Sequence, residues 1–160
     1  MLPCMKTSAL RTVIAPIAAV SLLFGMAGCS LLGSPRDSDG NITASANLAL
    51  TDLRVGDCLK DVNAVSSSGV SKVPVVPCTT AHNGEVFATT SDGDTSDKSF
   101  AEDFCTQQFP NYIGTDFNSS TLDVEYFQPP SASSSNKTLT CIVYHSDGTT
   151  DSKSLKGSKQ

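Results

Sequence analysis

The sequence contains no tryptophan and few residues of the types that build most binding and catalytic sites. Aromatic side chains make up 6% of it and charged side chains 17%. Eleven Lys and Arg residues stand against 16 Asp and Glu, which gives a formal charge of −5 at pH 7. A nucleic-acid-binding chain needs clustered basic residues to neutralise phosphates, so we expect no nucleic-acid partner. The few aromatic residues also disfavour a carbohydrate-binding module, which needs exposed rings on which sugars stack.

The first 28 residues have the pattern of an export signal. Two basic residues, Lys6 and Arg11, precede an apolar stretch at residues 13–24. That stretch contains Pro16 and is too short for a comfortable membrane span, which is typical of a signal peptide. Cys4 lies within this region, and Met5 offers an alternative start.

The signal ends at Met26-Ala27-Gly28-Cys29, a run that resembles the bacterial lipobox, although that motif commonly has Leu where this chain has Met26. Small residues before a cysteine suit the lipoprotein peptidase, and the thiol then receives a diacylglycerol. We therefore expect Cys29 to be lipidated and the protein to be held at the extracytoplasmic face of the cell membrane. Two alternatives stay open: an ordinary cleaved signal with an incidental cysteine, and an uncleaved anchor. Cleavage before Cys29 removes two of the 11 basic residues and no acidic one, so the charge moves from −5 to −7.

The remaining chain divides by composition into three parts. Residues 29–48 are rich in Gly, Ser, Asp and Asn, which predicts a flexible tether above the membrane. Residues 49–145 hold four cysteines and nearly all the β-branched and aromatic residues, which predicts one small folded domain. Residues 146–160, hereafter the tail, are polar and rich in turn-forming residues, so we expect them to be disordered.

The four cysteines of the domain are best interpreted as two disulfides, since a small exported domain commonly needs covalent cross-links. Of three possible pairings we favour Cys58–Cys78 and Cys105–Cys141, because each closes a moderate loop between neighbouring predicted elements. Zinc ligation is disfavoured because the sequence has no Cys-x-x-Cys pair, and we predict neither a metal nor another cofactor.

Hydrophobic periodicity predicts an α+β domain with a mostly antiparallel sheet and one main helix at about residues 99–110. Ser99 and Glu102 have the spacing of a capping box, and Pro110 and Gly114 are expected to end the helix. Apolar residues face the core at 101, 105 and 109. Alternating patterns at 122–127 and 139–144 predict two strands, and the runs at 72–77 and 85–90 around Asn83-Gly84 predict a hairpin.

Two segments of the predicted domain have a recognisable pattern. The first is Val55-Gly56-Asp57-Cys58, and the second runs from Val75 to Val86, where His82 and Glu85 follow Cys78. Together they resemble the septum formation domain family of actinobacterial exported proteins. The family's pattern continues with a helix cysteine, an aromatic-x-Gly segment and a last cysteine. This chain has Cys105, Tyr112-Ile113-Gly114 and Cys141 in that order, so the resemblance covers about residues 51–144. The family's pattern has a Trp and a Gly after a proline before the last strand, whereas this chain has serines and an alanine at 131–135. The resemblance implies a presumed link to septum formation and no known chemistry.

Candidate site residues are few. His82 and Glu85 are the only closely spaced His–carboxylate pair of the predicted domain, and Asp57 is expected near them through the Cys58–Cys78 disulfide. This polar cluster could act in acid–base chemistry or bind a divalent cation. The favoured interpretation is structural: the side chains hydrogen-bond the turn after Cys78. His145, at the start of the tail, is expected to be solvated.

These observations favour a membrane-anchored, non-catalytic binding or scaffold module of the cell envelope, with a link to septum formation. The implied partners are the membrane, through the lipid anchor, and an envelope protein that the residues do not identify. The alternative is a cell-envelope enzyme or a divalent-cation site that uses His82 and Glu85. No G-x-S-x-G motif and no Gly-rich phosphate loop supports an enzyme.

Overall fold

The structure is a computed structural model, and it describes residues 35–64, 72–129 and 135–160. Its elements, in chain order, are β1 (Ala46–Ala49), β2 (Cys58–Leu59), β3 (Lys72–Val76), β4 (Gly84–Thr90), α1 (Lys98–Ile113), β5 (Asp123–Phe127) and β6 (Leu139–Tyr144). Short 3₁₀ turns lie at Leu50–Asp52, Val62–Ala64 and Phe117–Ser119. The signal peptide, Cys29 and the first residues of the predicted tether lie outside the described residues.

The strands form one six-stranded sheet in the order β1-β3-β2-β4-β6-β5, in which every neighbouring pair is antiparallel. Disulfides join Cys58 to Cys78 and Cys105 to Cys141. The predicted fold class, a small disulfide-linked α+β domain with one main helix, is therefore confirmed, and so are both cysteine pairings.

Helix α1 packs on one face of the sheet through the residues that its periodicity predicted. Ala101, Cys105 and Phe109 are buried, whereas Glu102 and Thr106 are exposed. The buried helix residues meet a core that includes Leu139, Cys141 and Val143 from β6. The opposite face of the sheet has a second core, composed of Ile42, Leu48, Leu53, Leu59, Val62, Val73, Val75, Val86 and Ile142.

The predicted N-cap of the helix was wrong and so was the stop at Pro110, whereas the predicted stop at Gly114 is confirmed. Asp97 is the N-cap, and its side chain accepts a hydrogen bond from the Phe100 N–H, so the helix begins before the predicted Ser99 cap. Pro110 lies inside the helix, which continues to Ile113 and ends at Gly114 with φ 87°. The proline removes the N–H that would bond the Thr106 carbonyl. Because Thr106 is exposed, water can hydrogen-bond that carbonyl instead.

The predicted hairpin of the 72–77 and 85–90 runs was also wrong. β2 lies between β3 and β4, with Cys58 opposite Val76 on one side and opposite Glu85 on the other. β3 is not an edge strand although it contains Pro74, because β1 pairs along its outer side with Asn47 opposite Pro74. A two-residue strand such as β2 is too short to show a hydrophobic period.

The domain boundaries extend beyond the predicted ones on both sides. From residue 35 onward the predicted tether is part of the fold: Ile42 and Leu48 are buried, and β1 begins at Ala46. The tail, expected to be disordered, packs against the domain. Asp151 forms a backbone bridge with His82, and the side chain of Leu155 is buried in the helix-side core.

The tail also completes the end of α1. The Gly157 N–H donates to the Tyr112 carbonyl at 2.8 Å, and the Lys159 N–H donates to the Ile113 carbonyl at 2.9 Å. The last carbonyls of a helix have no partner within the helix itself, so a neighbouring chain segment that offers N–H donors stabilises them. These backbone contacts explain why a polar segment is ordered.

Candidate functional site

The three residues of the predicted polar cluster are all buried. Asp57 precedes β2, His82 precedes β4, and Glu85 is the second residue of β4; their exposed fractions are 2%, 0% and 0%. Buried polar side chains need hydrogen-bond partners, and the partners of these three differ.

Glu85 accepts three hydrogen bonds from two distant parts of the chain. Its Oε1 accepts from the Tyr112 hydroxyl at 2.5 Å and from the Ser154 hydroxyl at 2.6 Å. Its Oε2 accepts from the Leu155 N–H, also at 2.6 Å. The carboxylate therefore joins β4, the end of α1 and the tail, and these donors replace the water that an exposed carboxylate would bind.

Burial raises the pKa of the Tyr112 phenol well above its ordinary value, and the Glu85 carboxylate beside it raises it further. Tyr112 is therefore a neutral hydrogen-bond donor at physiological pH. A neutral phenol that is already bonded to a carboxylate is poorly suited to be a nucleophile or a base. The buried hydrogen bond between Tyr112 and Glu85 points instead to a structural role for these two residues.

Asp57 belongs to a separate ion pair. The Arg36 guanidinium donates to both of its carboxylate oxygens, at 2.6 Å and 2.7 Å, and the Arg54 N–H adds a third bond at 2.8 Å. The side chain of Arg36 is 7% exposed. Hydrogen bonding to Asp57 raises the pKa of Arg36 above its ordinary value. The structure thus separates Asp57 from the other two predicted residues.

His82 has one satisfied and one unsatisfied ring nitrogen. Nδ1 lies 2.8 Å from the Thr80 carbonyl, so in the neutral ring Nδ1 carries the proton and Nε2 is the acceptor. Nε2 is buried and has no hydrogen-bond partner among the described residues. Most buried polar atoms in proteins have a partner, which makes this nitrogen the exception in the cluster.

His82 and Glu85 lie close to the Cys58–Cys78 disulfide. One potential ligand atom from each of Cys58, His82 and Glu85 lies within 4.8 Å of the other two. In the oxidised protein the Cys58 sulfur is bonded to Cys78, and the Glu85 carboxylate is occupied by its three donors. As it stands, this arrangement offers a metal ion only the free nitrogen of His82.

His145 is not solvated as expected. Its Nε2 lies 2.8 Å from Oδ2 of Asp151, and the two side chains are 12% and 15% exposed. The same Asp151 pairs through its backbone with His82. His145 therefore helps to hold the tail on the domain.

Sequence reasoning missed four residues that complete the cluster: Arg36, Tyr112, Ser154 and Leu155. Arg36 and Ser154 lie in segments whose composition predicts flexibility. The one signal in the tail is Leu155, its only large apolar side chain. Tyr112 was noted within the Tyr112-Ile113-Gly114 segment, and its hydrogen bond to Glu85 has no local sequence pattern.

A cavity of about 420 Å³ lies beside the cluster. Among the described residues that line it are Ile42, Val55, Cys78, Tyr112, Ser154 and Lys156, and none of its described lining residues carries a carboxylate or an imidazole. Val55 at its rim is 50% exposed, which is unusual for a large apolar side chain in this domain. The Lys156 ammonium lies 5.9 Å from the centroid of the Tyr112 ring.

Comparisons of the chain with protein-family models, curated proteins and solved structures found no match. The resemblance to the septum formation family therefore stays a prediction. Within the described part of the chain, no helix has both the length and the apolar character needed to cross a bilayer.

Proposed function

We propose that this chain is an exported lipoprotein, anchored through Cys29, whose folded domain is a non-catalytic binding module of the cell envelope. The lipobox-like run before Cys29 supports the anchor. The two disulfides support an extracytoplasmic location, because disulfides persist in oxidising compartments. The segments that resemble the septum formation family support a partner linked to cell division.

The observation that carries the binding role is that the carboxylates next to the cavity are already occupied by hydrogen bonds within the domain. The carboxylate of Glu85 is occupied by Tyr112, Ser154 and Leu155, and that of Asp57 by Arg36. The described lining of the cavity offers apolar, hydroxyl and ammonium groups. Such a surface can bind a partner, whereas the carboxylates that acid–base catalysis would use are held by hydrogen bonds within the domain.

A site-specific photo-crosslinker tests this role in intact cells. Val55 is the position of choice because it is exposed at the rim of the cavity. Asp92 is a matched control, since it is also exposed and follows the opposite end of β4. We expect a discrete adduct from the probe at Val55 and none from the probe at Asp92. Equal labelling from both positions, or none from Val55, would contradict a binding site at the cavity.

The alternative, an enzyme or a divalent-cation site of His82 and Glu85, is favoured by one observation, the 4.8 Å grouping with Cys58. In the oxidised protein a cation would have to displace three hydrogen bonds from Glu85 and could not use the Cys58 sulfur as a thiolate. The binding module therefore stays the proposed function.

A further inference from the structure

The unsatisfied nitrogen of His82 lies in a setting that resembles a metal site with its sulfur ligands oxidised. The imidazole, the Glu85 carboxylate and the Cys58 sulfur are grouped within 4.8 Å. The Cys78 sulfur is bonded to that of Cys58, so it adjoins this group. Among the described residues, this is the only grouping of three or more such side chains.

Zinc binds thiolate sulfur, imidazole nitrogen and carboxylate oxygen, and its structural sites have four ligands. A disulfide sulfur carries no thiolate charge, so the oxidised cluster lacks two of these ligands. Reduction would supply both at once. Cys58, Cys78, His82 and Glu85 would then offer two thiolates, one imidazole and one carboxylate.

We propose that the Cys58–Cys78 disulfide masks a zinc site, which forms from Cys58, Cys78, His82 and Glu85 when a dithiol reductant opens the bond. This inference goes beyond the proposed binding function and does not depend on it. It gives the unsatisfied His82 nitrogen a role as the metal ligand of the reduced protein.

The exposure of the two sulfurs favours attack by a reductant at Cys78. Cys78 is half-buried and lines the 420 Å³ cavity, whereas Cys58 is 0% exposed. A reductant thiolate that enters through the cavity attacks the Cys78 sulfur, forms a mixed disulfide with it and releases the Cys58 thiolate beside His82. The second thiol of the reductant then displaces Cys78, so the reductant leaves as its own disulfide.

The protons and electrons balance in two stages. The dithiol supplies two electrons and two protons, which convert the disulfide into two thiols. Zinc binding then releases the two thiol protons to solvent, because zinc takes thiolates. The Nε2 lone pair of His82 needs no proton loss, since Nδ1 holds the ring proton toward Thr80. The Glu85 carboxylate gives up hydrogen bonds from Tyr112 and the tail when it binds the metal.

The test is a metal titration of the full chain in detergent, under argon, before and after reduction with a phosphine. Cobalt(II) is the spectroscopic probe, and zinc competition gives the affinity. We expect the reduced protein to bind one cobalt ion with thiolate-to-cobalt charge-transfer bands, and the oxidised protein to show none. His82→Ala should weaken binding at least about tenfold. Equal affinity of His82→Ala and wild type, or no cobalt binding by the reduced wild type, would overturn the proposal.

Alkylation of the reduced wild-type protein provides a test that needs no variant. Zinc should protect Cys58 and Cys78 from iodoacetamide, while Cys105 and Cys141 show no zinc-dependent change. These latter two serve as internal controls, because their disulfide belongs to no such group among the described residues. Protection of all four cysteines alike, or of none, would contradict a site at His82.

Discussion

The Leu155 N–H donates to Oε2 of Glu85 at 2.6 Å, across 70 residues of chain. This bond places the side chain of Leu155 in the core against α1, where it is 1% exposed. One buried carboxylate thereby determines where the tail lies. Because Glu85 holds the fold together through Tyr112, Ser154 and Leu155, its substitution should first affect stability.

Replacing Glu85 with Ala should destabilise the domain by about 3 kcal/mol, because two buried donors, the Tyr112 hydroxyl and the Leu155 N–H, and the Ser154 hydroxyl lose their acceptor. Glu85→Gln should cost less, since the amide keeps one acceptor oxygen. Urea denaturation followed by far-UV circular dichroism measures both values. Asp103→Ala, at an exposed helix position, is the control and should change stability by less than about 0.5 kcal/mol. Wild-type stability of Glu85→Ala would show that the three bonds are not structural.

Leu155→Ala should destabilise the protein by about 2–4 kcal/mol, the usual range for removing a buried leucine side chain. The matched control is Ser152→Ala, an exposed position in the same tail. Thermal or urea unfolding measures both, and native-state hydrogen exchange shows whether the Leu155 and Asp151 amides are protected. Fast exchange at both amides, with no loss of stability in Leu155→Ala, would contradict the packed tail.

The Arg36–Asp57 pair should show strong coupling in a double-mutant cycle. Removing Asp57 alone leaves the Arg36 charge buried, so Asp57→Ala should cost about 3–5 kcal/mol. The double alanine variant should lose less stability than the two single variants lose in sum, and the difference in unfolding free energy should be at least about 1.5 kcal/mol.

The exposed pair Lys98–Glu102, whose side chains are 76% and 53% exposed, is the control for that cycle. Its coupling should stay at or below about 0.5 kcal/mol, because solvent screens the charges. Similar coupling in the two pairs would mean that Arg36 and Asp57 are not held in the buried geometry described here.

The proposed lipid anchor has a separate test. Cys29→Ala should release the protein into the medium, since the thiol that receives the diacylglycerol is gone. Mass spectrometry of the wild-type protein should find acyl mass at Cys29, and cell fractionation should place it with the membrane. Membrane retention of Cys29→Ala without acylation would indicate an uncleaved signal instead.

The sequence was informative where contacts are local or repeat with a regular period. The buried face of α1 through Ala101, Cys105 and Phe109 follows from helical spacing, and strands β5 and β6 follow from alternation. Both disulfides were predictable because four cysteines allow three pairings, and the favoured one closes moderate loops between neighbouring elements.

Long-range polar contacts were not predictable in this way. The bonds of Glu85 to Ser154 and Leu155 join segments about 70 residues apart, and one of them uses a backbone N–H that every non-proline residue has. Arg36 and Asp57 likewise meet only in the folded chain. Composition predicts flexibility for the tail and for residues 35–48 because few of their side chains are apolar. The large ones among them, Ile42, Leu48 and Leu155, are buried in the fold.

The most direct measurement of the central claim, a binding module at the cavity, uses the partner captured through the Val55 probe. Val55→Asp changes an exposed rim position, so its melting temperature should stay close to that of wild type. We predict that this variant binds the captured partner at least about tenfold more weakly, while Asp92→Ala binds it as wild type does. Unchanged affinity of a folded Val55→Asp for that partner would contradict the assignment of the cavity as the binding site.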